Sequence, residues 1–180
     1  MQPWNNDNYV DVLSNIAASM VPVQKLLTGA AYLMGLGFAF KALQTLKSSA
    51  EAGKMGGGGG SGGHKEPIIY ILVSSVLLYL PTGLDVLLNT TFSTSNIMSY
   101  QTDTDMFGLS GPAGESLTLI IRTIGVIAFI RGWVLIAKSA SHGQQPGGMG
   151  KGLIHIFGGI LAINIVATMQ IINNTIYGSS

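Results

Sequence analysis

The sequence predicts an all-α membrane protein of four transmembrane helices, arranged as two tandem helical hairpins and preceded by a short amphipathic helix. Three observations carry this. Of the 180 residues, 47% are hydrophobic and only 9% charged, against about 25% charged in an ordinary soluble domain. The mean hydropathy is +0.45. The apolar residues also gather in four long blocks, each near the roughly 20 residues that a helix needs to cross hydrocarbon, instead of recurring along one face of soluble elements.

The first element occupies residues 1–20. Tyr9, Val12, Leu13, Ile16, Ala17 and Met20 follow helical spacing, with Asp7 as N-cap and Asp11, Ser14, Asn15 and Ser19 on the opposite face. This pattern predicts an amphipathic helix on the outer surface, either floating in the headgroups or docking a neighbouring subunit. No Lys or Arg precedes Lys25, so the basic start of a secretory signal is missing and the segment is expected to stay in the mature protein.

Hairpin one covers residues 21–90. Its first span, about 21–46, is entered at Pro22, which costs little in a first turn. Its second span, IIYILVSSVLLYLPTGLDVLL, follows Pro67, and Pro81 with Gly83 should bend its far end without breaking it. An acidic outer loop, 91–116, leads to hairpin two at 117–172. That hairpin pairs a span of about 117–138 with LIHIFGGILAINIVATMQII at 153–172.

Charge fixes the orientation, because Lys and Arg near span ends are retained in the cytoplasm while acids matter little. Lys47, Lys54 and Lys65 lie in the glycine-rich loop 47–67, and Lys138 and Lys151 flank the second such loop, 139–152. With Lys41 and Arg131, seven of the nine basic residues fall on one side. The outer loop holds Asp103, Asp105 and Glu115 and the N-terminal segment Asp7 and Asp11, with no Lys or Arg. The expected location is a bacterial inner membrane, multi-pass, with both termini periplasmic.

The halves resemble each other. Placing Gly35 on Gly125 aligns GLGFAFKALQTLKSSA with GVIAFIRGWVLIAKSA if one residue is gapped, superposing Lys41 on Arg131 and Lys47 on Lys138. That is a parallel repeat of one hairpin, unless any two basic-ended spans simply look alike.

Several chemistries are excluded. Net charge is +1, so no global basic field attracts nucleic acid, and direct sequence-specific nucleic-acid binding is not expected. Cysteine is absent, which removes disulfides, thiolate chemistry and Cys-based metal sites. Gly150-Lys151 mimics a phosphate loop, but Gln145 and Gly152 stand where that loop needs Gly and Ser or Thr. His64, His142 and His155 have no partner at metal-ligand spacing. No nucleophile, base and orienting group emerges, so no enzyme and no cofactor beyond a bound phospholipid is expected.

The residues that remain belong to packing and charge. Ala31, Gly35 and Ala39 recur every four positions, as do Ala128 and Gly132, which lets helices approach closely in lipid, within the monomer or between subunits. Arg122 stands near the outer end of the third span, at about the depth of Asp85, so an ion pair or a lipid-phosphate contact is expected there. Lys41 and Arg131 lie near cytoplasmic span ends, where their heads can reach the interface. Asn164 in the fourth span is expected to bond a neighbouring helix.

Size, hairpin order, the AFK and AFIR span ends running into KSSA and KSA, and the glycine-rich loops together resemble the IcmC/DotE group of inner-membrane components of type IVB secretion systems and their conjugal TraQ relatives. Each hairpin is also similar to the two-helix pilins of type IV secretion. The resemblance implies a structural subunit of a secretion or conjugation apparatus, with membrane lipid and other subunits of the machine as partners, in a homo- or hetero-oligomer. It implies a channel or pilus-like complex for protein or DNA export. The alternatives are a small independent pore or transporter and, fitting less well, a holin-like lysis protein.

The natural absence of cysteine makes the orientation testable. Single cysteines at Ser61 or Ser141 are expected to resist an impermeant maleimide in intact cells, and those at Ser95 or Ser179 to react; labelling of the first pair would reverse the topology.

Overall fold

The computed structural model describes residues 6–54, 65–92, 112–141 and 147–178. Within them the chain is helical throughout, with no strand: α1 Asn6–Lys54, α2 Lys65–Leu78, α3 Leu80–Phe92, α4 Pro112–Ala140, α5 Gly148–Ile163 and α6 Ile165–Tyr177. Over Tyr9–Glu51 and Ala113–Ala140, α1 and α4 are long and apolar enough to cross a membrane. Two further crossings result if the bent pairs α2–α3 and α5–α6 each count as one span. The structure is therefore that of a helical membrane protein with two to four candidate spans.

The expected break between a surface helix and a first span is absent. α1 is a single helix of 49 residues with Pro22 inside it, rising about 74 Å in all. Proline forfeits one backbone bond and crowds the carbonyl four residues back. A chain break in lipid would strand several backbone groups instead, and Ala17, Ala18, Met20, Leu26 and Leu27 on either side favour helix. The Asp7 side chain lies outside the described residues.

The second span departs from expectation in the opposite sense. α2 and α3 meet at 92°, a break at Tyr79 where a kink near Pro81 and Gly83 that bends the helix without breaking it was expected. Pro81 cannot donate to the Leu77 carbonyl and disfavours helical geometry at the residue before it. The ladder resumes on both sides, Tyr79 N donating to Ser75 O at 3.1 Å and Gly83 N to Tyr79 O at 2.7 Å. The fourth block, expected as one span at 153–172, is divided as well: α5 and α6 meet at 90° around Asn164, whose φ of −113° and ψ of 56° leave the helical region. Asparagine is a weak helix former, and the flanking Ile163, Ile165 and Val166 are β-branched.

The chain divides into two compact units. One comprises Met1–Leu27, Leu84–Ile127 and Gly158–Ser180, the other Thr28–Gly83 and Ala128–Phe157. By chain position the second holds Lys41, Lys47, Lys54, Lys65, Arg131, Lys138 and Lys151 against two acids, Glu51 and Glu66. The first holds Lys25 and Arg122 against six acids.

Within the second unit, α1 turns Ala31, Gly35 and Ala42 inward, and a Cβ built at Gly35 would lie 3.0 Å from the Leu78 backbone nitrogen. Ala39 is half-buried, so Ala42 takes the next place in that seam. α4 and α5 approach backbone to backbone. A Cβ at Gly132 would meet the Gly152 carbonyl oxygen at 2.8 Å, and one at Gly152 the Gly132 carbonyl at 2.9 Å. Ala128 is half-buried. In the first unit, a Cβ at Gly125 would lie 2.8 Å from the Ile163 nitrogen and 2.9 Å from the Gly159 carbonyl.

These contacts give the repeat a physical form. Gly35 and Gly125, which the sequence alignment superposes, each pack against the residue immediately before a bend: Leu78 before Tyr79, and Ile163 before Asn164. In each half of the chain a long helix is followed by a helix pair bent through about a right angle.

Gly132→Ala and Gly152→Ala are expected to destabilise the fold by about 1–3 kcal/mol through overpacking. Gly29→Ala and Gly37→Ala, where a Cβ meets nothing within 4 Å, are expected to be neutral or to stabilise by about 0.5–1 kcal/mol through helix propensity. Unfolding of the purified chain by SDS in mixed micelles measures both pairs.

Candidate functional site

Polar side chains on an apolar helix must find partners, since lipid offers none. Each unit gathers its own set. In the second unit the centre is Tyr70 on α2, 0% exposed. Phe38 of α1 stacks on its ring with centroids 6.0 Å apart and planes at 15°. The Lys41 ammonium stands 4.7 Å from the ring centroid, a cation–π contact worth about 0.5–1 kcal/mol at an exposed site. The Tyr70 hydroxyl shares a hydrogen bond with Ser141 Oγ, 2.5 Å away just past α4. Tyr70 thus joins three helical segments through its face and its hydroxyl, and Lys41 keeps an exposed head.

Also in the second unit, Trp133 packs edge-on to Phe129 at 6.2 Å, and its indole N–H is buried with no hydrogen-bond partner among the described residues. His155 places Nδ1 2.8 Å from the Lys151 carbonyl, one turn back on its own exposed helix face. His64 and His142 lie outside the described residues.

In the first unit the polar groups link α1, α4 and the bend between α5 and α6. Gln24 Nε2 donates to Thr123 Oγ1 at 2.8 Å, and Thr123, 1% exposed, donates to the Leu119 carbonyl at 2.8 Å. The next side chain on α4, Arg122, directs Nε to the Ile163 carbonyl at 3.1 Å. On the far side of the bend, Thr168 Oγ1 lies 2.9 Å from both the Leu161 and the Asn164 carbonyls. Side-chain donors therefore collect on carbonyls where the helix changes direction.

The expected charge contacts resolve differently. No Arg122–Asp85 ion pair appears among the described residues; Asp85 is half-buried on α3, while Arg122 reaches the carbonyl at the bend. Lys47 and Glu51 pair at 3.9 Å with side chains 79% and 66% exposed, one turn apart on α1, a contact of little energetic weight in that setting. Lys41 and Arg131 are exposed. Asn164 stands at the bend itself. Among the described residues no three of His, Cys, Asp and Glu converge as metal ligands.

The contacts of Tyr70, Ser141, Gln24, Thr123 and Thr168 are not among those the sequence predicts. The pairs they form join positions 71 and 99 residues apart, beyond any local pattern. Each is nevertheless a polar group inside or beside an apolar block, which in lipid is itself a sign of an interhelical partner. No family model, curated protein or solved structure matches the chain.

Tyr70→Phe and Ser141→Ala are each expected to lower stability by about 1 kcal/mol, the net value of one hydrogen bond. The double variant should cost little more than either alone, because one contact is lost once. Fully additive losses in micelle unfolding would show that the two hydroxyls act separately.

Proposed function

We propose that the chain is a structural subunit of a type IVB-like secretion or conjugation apparatus. In this reading it crosses a bacterial inner membrane four times as two helical hairpins, with both termini periplasmic, and works by packing into a channel or pilus-like complex for protein or DNA export. The orientation is supported by the partition of charge: the unit containing the α1–α2 and α4–α5 connections carries seven of the nine basic residues, as expected of segments held in the cytoplasm.

The observation that carries the assembling role is the surface of α1. Leu26, Leu33 and Phe40 repeat at seven-residue intervals and are 72%, 69% and 67% exposed. Only 17% of the most apolar window of α1 is buried, against 33% in α4. This long helix is thus covered mostly by what lies outside the chain: lipid along part of its length, other subunits along the rest. The resemblance to IcmC/DotE and conjugal TraQ components supplies the identity of those subunits. Arg122, Lys41 and Arg131 are the residues available to lipid phosphates, with bound phospholipid filling the space between subunits, and Asp85 and Arg122 can pair on assembly.

The test is recovery from native membranes. With a tag inserted in the 56–63 loop and extraction in mild detergent, mass spectrometry is expected to find secretion or conjugation proteins in stoichiometric amounts. Recovery of the chain alone, as a small discrete oligomer that passes solute in liposomes, would replace this reading with that of an independent pore.

A further inference from the structure

α6 carries an apolar face that the described residues cover only in part, Ile165 and Met169 being half-buried and Ile172 and Ile176 exposed. Ile165, Met169, Ile172 and Ile176 recur at i, i+4, i+7 and i+11, forming one stripe, and Gln170, Asn174 and Tyr177 lie opposite. Val166 and Ile171 fall outside the stripe. No residue of α6 is buried, and Ile176 is 67% exposed. α3 differs in this respect: its stripe of Leu80, Leu84 and Leu88 is buried. The sequence of α6 is amphipathic and contains neither Lys, Arg, Asp nor Glu.

Geometry says what can cover it. α6 leaves α5 at 90°, so if α5 stands across the bilayer, α6 runs along it. α5 is apolar apart from His155 from Gly152 to Ile163, a rise of about 18 Å, less than a hydrocarbon core of about 30 Å. The depth of the bend is set by Arg122, whose Nε holds the Ile163 carbonyl. Lys151 near the start of α5 and Arg122 at the Ile163 carbonyl bracket the apolar stretch of α5, and each head can reach the headgroups. The bend then lies at a lipid boundary.

We propose that α6 is an in-plane helix that docks on the lipid boundary of the membrane, with Met169, Ile172 and Ile176 in the acyl region and Gln170, Asn174 and Tyr177 in the headgroup water. Tyr177 at its end is a residue type that bilayer interfaces favour. Arg122 positions α6 by holding the carbonyl from which it departs, so the last element of the chain is an interfacial anchor and not the final third of a span. This inference rests on the membrane reading above.

The full-length chain, naturally without cysteine, is reconstituted in vesicles of phosphatidylcholine and phosphatidylglycerol with one nitroxide-labelled cysteine at a time. Met169→Cys, Ile172→Cys and Ile176→Cys are expected to collide with oxygen severalfold more, relative to a water-soluble nickel chelate, than Gln170→Cys, Asn174→Cys and Tyr177→Cys, and to lie at one common depth. Ile154→Cys, Phe157→Cys and Leu161→Cys on α5 report the membrane reading separately: preference for the nickel chelate there would overturn both readings. With α5 in lipid, a depth that advances steadily from 169 to 177 makes α6 a continuing span and overturns the proposal alone, as does shielding of all six α6 positions from both reagents. If Arg122 positions the helix, Arg122→Ala abolishes the common depth while Arg122→Lys largely keeps it.

Discussion

Every backbone group placed in hydrocarbon must find its hydrogen bond inside the protein, and the structure follows from how that demand is met at two bends. A straight helix satisfies itself. A helix turned through a right angle leaves carbonyls to be covered by side chains, by crowding or by proximity to water. At Tyr79 the disruption arises from Pro81, and the ladder resumes within one residue on either side. At Asn164 the carbonyls on both sides are met by Thr168 and Arg122. A charge within the membrane costs at least about 2.5 kcal/mol, and an unpaired buried carbonyl costs about 1–3 kcal/mol. A guanidinium directed at that carbonyl from near the boundary offsets both, which explains an arginine on an otherwise apolar face of α4.

Bends in turn require close neighbours. A helix that changes direction can be held only by a partner whose backbone comes near, and glycine permits that approach. Gly35 and Gly125 stand against the residues preceding the two bends, and Gly132 and Gly152 each face the other's carbonyl oxygen so closely that a Cβ would collide with it. Such seams suit Cα–H···O contacts and dense packing, the means of association that remain when solvent is as apolar as the side chains. The repeated placement of glycine at the bend is stronger support for duplication than basic span ends are, because it depends on geometry and not on composition.

This separates what was legible in the sequence from what was not. Apolar blocks and the placement of Lys and Arg are properties of long segments, so the membrane class, the helices and the partition of charge could be read directly. The small-residue stripes were legible as well, with Gly35 and Gly132 packed within the chain, although the seam continues through Ala42 more than Ala39. A bend near Pro81 was legible, but its right angle and the bend at Asn164 were not, because the decision between a continuous and a broken helix at Pro22, Pro81 and Asn164 belongs to tertiary contacts. Pro22 carries the stronger local signal for a break and lies inside a continuous helix; Asn164 carries the weaker one and marks a right angle. The ties Tyr70–Ser141 and Gln24–Thr123 join segments whose proximity only the folded chain creates.

Burial along α1 follows an order opposite to that of a soluble helix. Ala31, Gly35 and Ala42 face inward while Leu26, Leu33 and Phe40 face out. In water this would waste the hydrophobic effect; in lipid, large apolar side chains are equally at home outside, and inward positions go to residues that let backbones touch. Specificity then resides in the small and polar residues, and the outer face of α1 tolerates exchange among large apolar residues until another subunit reads their shape.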